Sequence, residues 1–174
     1  MRSRIQLVVA LLLALAGFAC GYRVAGRAGR LPENVKVIAV PAFENQSSVM
    51  GVEQRLTAAV MQEFIHRTRY RVVGKEEGAD AVLRGTVKTV RSRPVIFDPV
   101  TGRASAIEIT VTLGVQLRDR AKKETLFANQ NYLFREQYEI TSDLESFFEE
   151  RNPAFDRLAR DVAATLVSAI LENF

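Results

Sequence analysis

The chain has 174 residues, of which 48% are hydrophobic and 25% charged, and its formal net charge is +4. This balance is typical of one globular domain and excludes a disordered chain, a collagen, a coiled coil and a multi-pass membrane protein. A single cysteine, Cys20, and a single histidine, His66, exclude an intrachain disulfide and a multi-cysteine metal site, and they argue against most catalytic triads.

The first twenty residues have the pattern of an export signal. Arg2 and Arg4 precede an uncharged run that ends at Cys20, which is too short for a membrane-spanning helix of about 20 apolar residues. We therefore predict a signal peptide over residues 1–19. Its removal takes Arg2 and Arg4 from a net charge of +4, so the mature chain would carry +2 and be nearly neutral.

The end of this run fits two processing reactions at the same bond. Ala19-Cys20-Gly21 resembles a bacterial lipobox, in which the cysteine receives a diacylglyceryl group before cleavage. Gly17 stands where a lipobox usually has leucine, and Gly17-Phe18-Ala19 also fits an ordinary signal peptidase site. We favour lipidation of Cys20, because a free thiol at the start of an exported protein would be a reactive liability.

The segment after Cys20 predicts a tether. Residues 21–34 contain three glycines, three arginines and Pro32 with little periodicity, so we expect residues 20–34 to link the lipidated end to a single domain over residues 35–174. Alternatively, Tyr22 and Val24 would add a short edge strand.

The first half of the domain predicts a strand followed by a helix. Val35–Val40 has apolar residues at both odd and even positions and ends at Pro41, as in a buried central strand. A loop follows over Pro41–Ser48. Apolar residues at three- and four-residue spacing predict an amphipathic helix over 49–67, with Ser48 as its N-cap. His66 then lies in the last turn, where we expect an exposed histidine and not a catalytic one.

The second half predicts three long strands and a closing helix. Ile107–Leu117 alternates strictly between apolar odd and mostly polar even positions, which only a strand can use. The other predicted elements are a short strand at Tyr70–Val73, strands at Ala81–Val90 and Thr125–Tyr138, a long hairpin connection at Arg91–Ser105, and a helix opened by Asn152-Pro153. The acidic segment Glu139–Arg151 before this helix contains a candidate capping box at Ser142–Glu145.

These elements predict a two-layer α+β fold. Their order is β-α-β-β-β-β-α, with two amphipathic helices packed on one face of a mixed sheet of four to five strands. The opposite sheet face stays exposed, and it either contacts a partner or is simply solvated.

Several motifs together resemble the LPS-assembly lipoprotein family LptE. The resemblance covers the whole mature chain and rests on the order and spacing of its pieces. They are Cys20-Gly21-Tyr22-Arg23, Leu31-Pro32, Ile38-Ala39-Val40-Pro41-Ala42-Phe43-Glu44-Asn45, Gly51-Val52-Glu53 and Ala79-Asp80-Ala81-Val82-Leu83-Arg84-Gly85.

The resemblance implies a non-enzymatic outer-membrane lipoprotein without a cofactor. It would plug the lumen of a large β-barrel partner, the LPS-assembly protein LptD, support assembly of that barrel and engage lipopolysaccharide. A polar lumen needs a polar plug. The even-numbered face from Glu108 to Arg118 meets that need, and its barrel-facing candidates are Thr110, Thr112, Gln116 and Arg118.

Lipopolysaccharide carries phosphates, which arginine binds with bidentate hydrogen bonds. The candidate binding residues are Lys88, Arg91, Arg93 and Arg103, beside the apolar run Pro94–Phe97 that would touch acyl chains. The alternative is an ordinary solvated or barrel-contacting loop.

A second family of exported proteins begins its fold in a similar way. Curli-secretion and penicillin-binding-protein-activator lipoproteins also have a strand that runs into a Pro-x-Phe-Glu-Asn-like turn before a helix, so a secretion pore subunit or an activator of a cell-wall enzyme remains the alternative. Export and a mature charge of +2 argue against nucleic-acid binding, and His66 without a positioned nucleophile argues against a hydrolase.

Overall fold

The computed structural model describes residues 31–100, 102, 104–139 and 144–173, and for residues 144–151 it describes the backbone alone. Cys20, Arg103, Ser142 and the predicted signal peptide therefore lie outside the described residues. The elements, in chain order, are β1 (Val37–Ala39), β2 (Glu44–Asn45), α1 (Val52–Arg67), β3 (Arg71–Val73), β4 (Ala81–Phe97), β5 (Ala104–Asp119), β6 (Thr125–Glu139) and α2 (Leu144–Glu172).

The strands form one mixed sheet in the order β3-β1-β4-β5-β6. β1 runs parallel to β3 and β4, while β4, β5 and β6 are antiparallel neighbours. The predicted α+β class and element order are confirmed. One extra strand, the two-residue β2, pairs with β4 inside the predicted loop Pro41–Ser48.

Both helices cover one face of this sheet, as predicted. The odd-numbered residues of β5 from Ile107 to Leu117 are buried, and they join one hydrophobic core with α1 and α2. Leu56, Val60 and Phe64 of α1 are fully buried in it, as are Val162, Leu166 and Ile170 of α2. Strict alternation works here because one side of each strand faces helices and the other faces outward.

The hairpin between β4 and β5 is much shorter than predicted. The predicted connection Arg91–Ser105 is wrong, because β4 continues to Phe97 and β5 begins at Ala104. Pro94 is tolerated in β4 since, among the described residues, no strand pairs with the other edge of β4 beyond Val87. Proline lacks an N–H group and is harmless where no ladder hydrogen bond is required.

Both predicted helix starts are also wrong. α1 begins at Val52, and its N-cap is Gly51 with φ of 80°, a left-handed conformation suited to glycine, while Ser48 lies outside the helix. α2 contains Pro153 in its interior instead of starting there. Ala154, Phe155 and Leu158 pack into the core directly after Pro153, and such burial outweighs a hydrogen bond lost to proline. His66 is exposed in the last turn of α1, as expected.

The last four residues of the predicted tether already pack on the domain. Leu31 is buried, and its backbone N donates a hydrogen bond to Tyr70 Oη at 2.9 Å. Asn34 Nδ2 donates to Asp119 Oδ2 at 2.7 Å. The N-terminal segment therefore enters the fold where β5 ends and β6 begins.

Two carboxylates hold this end of the sheet together. Asp80 Oδ2 accepts hydrogen bonds from the backbone N of Lys36 and Val37 at 2.8 and 2.9 Å, which lowers the pKa of Asp80 below its ordinary 3.8. Asp119 is fully buried, and its Oδ1 accepts from Lys122 N at 2.9 Å. That bond and the one from Asn34 lower the pKa of Asp119 in the same way.

We expect the free energy of unfolding to fall as the pH drops below about 4. Because both carboxyls have a lower pKa in the folded chain, their stabilisation is complete above the unfolded value of 3.8 and is lost as the pH falls through the folded values. Urea unfolding of wild type and Asp119→Asn at pH 7 and pH 3 tests this. The variant should be less stable at pH 7 by about 1–3 kcal/mol, with a smaller gap at pH 3. An equal gap at both pH values would contradict this role of Asp119.

Candidate functional site

The sheet face that the helices leave open is polar over most of β4, β5 and β6, while its β1 corner carries a small buried apolar cluster of Ala39, Ala79 and Val82. On β5, Thr110 and Thr112 are half-buried and Gln116 and Arg118 are exposed, so all four barrel-facing candidates lie on this face. We call it the polar face. Register with the neighbouring strands assigns it Arg84, Thr86, Thr89, Arg91 and Arg93 of β4, Glu108, Thr110, Thr112, Gln116 and Arg118 of β5, and Leu133, Arg135 and Gln137 of β6.

A β-bulge at Lys88 builds the β4 part of this face. Before the bulge, Val87 pairs with Leu113 over the core, and after it Thr89 pairs with Thr112 on the polar face. One inserted residue reverses the parity of the strand, so even positions face outward before Lys88 and odd positions after it. Arg91 and Arg93 therefore lie on the polar face, although a regular strand would have turned both toward the helices.

Hydrogen bonds across strands order the polar face. Thr89 Oγ1 donates to Thr112 Oγ1 at 3.1 Å, and Gln116 Nε2 donates to Thr125 Oγ1 at 3.0 Å. Arg93 Nε donates to Glu108 Oε1 at 2.9 Å. Such cross-strand pairs stabilise a sheet by about 0.2–1 kcal/mol each. They also hold the side chains in place for a partner that needs donors and acceptors.

The arginines on this surface differ in whether an acidic side chain of the same chain binds them. Arg84 makes a two-pronged contact with Glu76, at 2.8 and 2.9 Å from its Nη2 to the two carboxylate oxygens. Arg91 is exposed on the strand beside Arg93. Some guanidinium groups are thus occupied within the chain, while Arg91 lies open to solvent.

The structure brings together only part of the predicted cation cluster. Arg91 and Arg93 are two positions apart on one face of β4, and strand geometry separates them by about 7 Å. Lys88 lies at the bulge, where its Nζ donates to Asn131 Oδ1 at 3.4 Å. Arg103 lies outside the described residues. The three described cations therefore follow β4.

The described part of the hairpin tip beyond these arginines exposes apolar side chains. Ile96, Phe97 and Val100 are 49, 56 and 90% exposed. Val100 N donates to Asp98 Oδ1 and Gly102 N to Asp98 O, both at 2.9 Å, which closes the turn. The run Pro94–Phe97 predicted to touch acyl chains thus belongs to an exposed strand end.

A shallow depression of about 410 Å³ opens on the polar face around Gly114. Lys88 Cε and Gln130 Oε1 would lie 3.2 and 3.1 Å from a Cβ at this position, so glycine lets both side chains cover the strand. Among the described residues, every buried side-chain nitrogen or oxygen has a hydrogen-bond partner. The depression therefore does not hold a buried polar group that requires a ligand.

The sequence alone did not identify the Lys88 bulge or the exposed Leu133 on the polar face, which is 50% exposed. Neither has a local signal, because both depend on the register between strands. Within the described ranges there is no group of three or more His, Cys, Asp or Glu residues that could hold a metal ion. None of the helices described is long and apolar enough to cross a membrane.

A family model described as LptE, lipopolysaccharide-assembly, matches residues 35–170. No curated protein matches the sequence. Among solved structures, a putative lipoprotein from Caulobacter crescentus CB15 is similar with a TM-score of 0.53 and 14% identity, over 75% of this chain and 88% of that one.

Two further structures have the same level of similarity. The PelC dodecamer from Paraburkholderia phytofirmans has a TM-score of 0.52 and 15% identity, over 83% of this chain and 95% of that one. Uncharacterized lipoprotein B from Nitrosomonas europaea has a TM-score of 0.52 and 15% identity, over 82% and 89%. At these identities the likenesses show a shared fold alone.

Proposed function

The chain belongs to the LptE lipopolysaccharide-assembly family, and from this premise we propose that it is an outer-membrane lipoprotein that plugs and supports an LptD-like β-barrel during delivery of lipopolysaccharide. It acts by binding and not by catalysis. The polar face carries the proposal. A barrel lumen is polar, so a plug must present hydrogen-bonding side chains, and this sheet leaves such a face uncovered by its helices.

The proposal is tested by purifying the chain with its barrel partner from native membranes in mild detergent. A plug should co-purify in a one-to-one ratio. A chain that runs free of any barrel in the native membrane would refute it.

A second candidate is a ring-forming envelope lipoprotein of the curli-secretion or penicillin-binding-protein-activator type. The fold likeness to PelC, which is described as a dodecamer, favours it. The mass of the purified complex separates the two candidates, because a ring contains many copies of this chain and no barrel.

We further propose that Cys20 carries the lipid anchor. About 0.8 kcal/mol is gained per buried methylene, so several acyl chains on one residue hold a protein stably where a single chain does not. We expect radiolabelled palmitate to be incorporated into wild type and lost in Cys20→Ser. Wild type without label would contradict the anchor, and Gly17→Leu, which restores the usual lipobox residue, is the positive control.

Arg91 and Arg93 are proposed to contact the phosphates of lipopolysaccharide, with the apolar tip toward the acyl chains. Their fixed spacing on one strand supports this, since guanidinium groups form charge-assisted bonds with phosphate. We expect Arg91→Ala with Arg93→Ala to weaken lipopolysaccharide binding by about tenfold or more. The charge-matched control is Lys75→Ala with Arg160→Ala, two exposed cations elsewhere. Equal binding by both double variants would refute the site.

A further inference from the structure

The end of the sheet where the N-terminal segment enters has a concentration of exposed cations. Backbone hydrogen bonds join its parts: Arg71 N donates to Lys36 O, and Arg120 N donates to Asp80 O, each at 2.9 Å. We call this surface the proximal end. Its exposed cations, apart from Arg118 of the polar face, are Lys36, Arg69, Arg71, Arg120, Lys122 and Lys123.

The carboxylates at the proximal end do not cancel this charge at the surface. Asp119 is fully buried, and the Asp80 carboxylate is occupied by two backbone amides. The exposed acidic residues at this end are Glu33, Glu77 and Glu124, and Glu76 beside Arg120 is half-buried, so the six exposed cations still outnumber the acidic side chains of these described segments. Lys122 and Lys123 are exposed in the turn between β5 and β6.

The described part of the chain begins at the proximal end, with Leu31. Leu31 N donates to Tyr70 Oη, and Tyr70 lies between Arg69 and Arg71. Residues 20–30 span at most about 40 Å, and they contain three arginines and no acidic residue. Phe97, at the other end of β4, is about 50 Å from Ala81 along the strand. A tether that starts at the proximal end is therefore too short to reach the far end of the sheet.

We propose that the proximal end docks on anionic phospholipid headgroups of the leaflet that holds the acyl chains of Cys20. This inference rests on the proposed lipid anchor and adds a second, electrostatic contact to it. Each cation near an anionic membrane surface strengthens binding by about fivefold, and the attraction decays within about 8–10 Å at moderate salt. Docking would orient β4 and β5 with their hairpin tip pointing away from that leaflet.

The test uses the purified lipidated chain reconstituted into vesicles. Because lipid occupies Cys20, Ala121→Cys provides the single free thiol for a fluorophore, and lipids with a nitroxide on the headgroup quench it when the turn touches the membrane. We expect quenching in vesicles of phosphatidylglycerol and phosphatidylethanolamine and little in phosphatidylcholine. Quenching should disappear in 1 M salt, where the Debye length is about 3 Å.

Removing charge from the turn supplies the decisive variant. Lys122→Gln with Lys123→Asn should lower the ratio of docked to undocked chains by about 25-fold, at fivefold per cation. Asparagine suits position 123, where φ is +56°. The control, Arg55→Gln with Arg160→Gln, removes two cations from the helix layer, away from both the proximal end and the polar face, and should leave the ratio unchanged.

Two outcomes would overturn the docking surface: absence of quenching on anionic vesicles, or quenching that is the same in both double variants. A fluorophore at Val100→Cys on the hairpin tip should not be quenched, and equal quenching there would also refute the orientation. The anchor is judged separately, by retention on phosphatidylcholine vesicles in 1 M salt, where the electrostatic contact is screened. Failure of the anchor and failure of the docking surface are thus distinguishable.

Discussion

Replacing Gly85 with alanine is expected to destabilise the fold by about 3 kcal/mol, the upper end of the usual cost of overpacking. Gly85 lies on β4, where a Cβ would come within 2.6–2.7 Å of three ring carbons of Phe43. The ring cannot move away easily, because it is buried and the backbone N of Phe43 donates to Thr57 Oγ1 at 2.9 Å. Urea unfolding measures the loss, a large part of the 5–15 kcal/mol that stabilises a typical domain.

Two controls isolate this contact. Gly74→Ala adds the same methyl group where nothing lies within 4 Å and should change stability by less than about 1 kcal/mol. In a Phe43→Ala background, which itself costs about 3–5 kcal/mol, Gly85→Ala should become nearly neutral because the ring is gone. An undiminished cost in that background would show that the ring is not the cause.

Replacing Thr112 with tryptophan is expected to reduce co-purification with the barrel partner at least tenfold, the equivalent of about 1.4 kcal/mol of binding energy. Thr112 lies in the middle of the polar face, paired with Thr89 on one side and Leu133 on the other. A bulky ring there would hold a docked lumen surface away from the sheet. The partner would then leave its own polar groups unpaired, which is costly.

The fold itself should tolerate this change. The Thr89–Thr112 hydrogen bond is worth about 0.2–1 kcal/mol, and tryptophan suits a strand. Ala58→Trp is the matched control, since Ala58 is exposed on α1 and faces away from the polar face. If Thr112→Trp and Ala58→Trp co-purify with the partner equally well while both remain folded, the polar face is solvated and does not dock.

Much of the proposed site could be predicted because it depends on a two-residue period. Thr110, Thr112, Gln116 and Arg118 alternate with fully buried core residues, and a strand places alternate residues on opposite faces whatever its neighbours are. The placement of Arg91 and Arg93 could not be predicted. It depends on the bulge at Lys88, and a bulge arises from pairing between strands that lie far apart in sequence.

Three element boundaries that were predicted from proline or serine are wrong. Pro94 indicated a loop, Pro153 indicated a helix start and Ser48 indicated an N-cap, each by sound local rules. Pro94 lies on a strand edge that has no described neighbour, so its missing N–H group costs no ladder hydrogen bond. Core packing after Pro153 outweighs the helix hydrogen bond that this proline cannot make. Gly51 in a left-handed conformation, and not Ser48, is the N-cap of α1. Local propensity was overruled wherever tertiary contacts supplied more free energy.

The sequence by itself determined the class and order of the elements, the apolar and polar sides of β5 and of the helices, and the family, since all of these follow from periodicity and short motifs. Only the tertiary structure decided which cations share a surface. Arg120 and Lys36 lie at the same end of the sheet because the Asp80 carboxylate accepts a hydrogen bond from Lys36 N and the Asp80 carbonyl accepts one from Arg120 N. These hydrogen bonds join segments that are far apart in the chain, so no local sequence pattern encodes them.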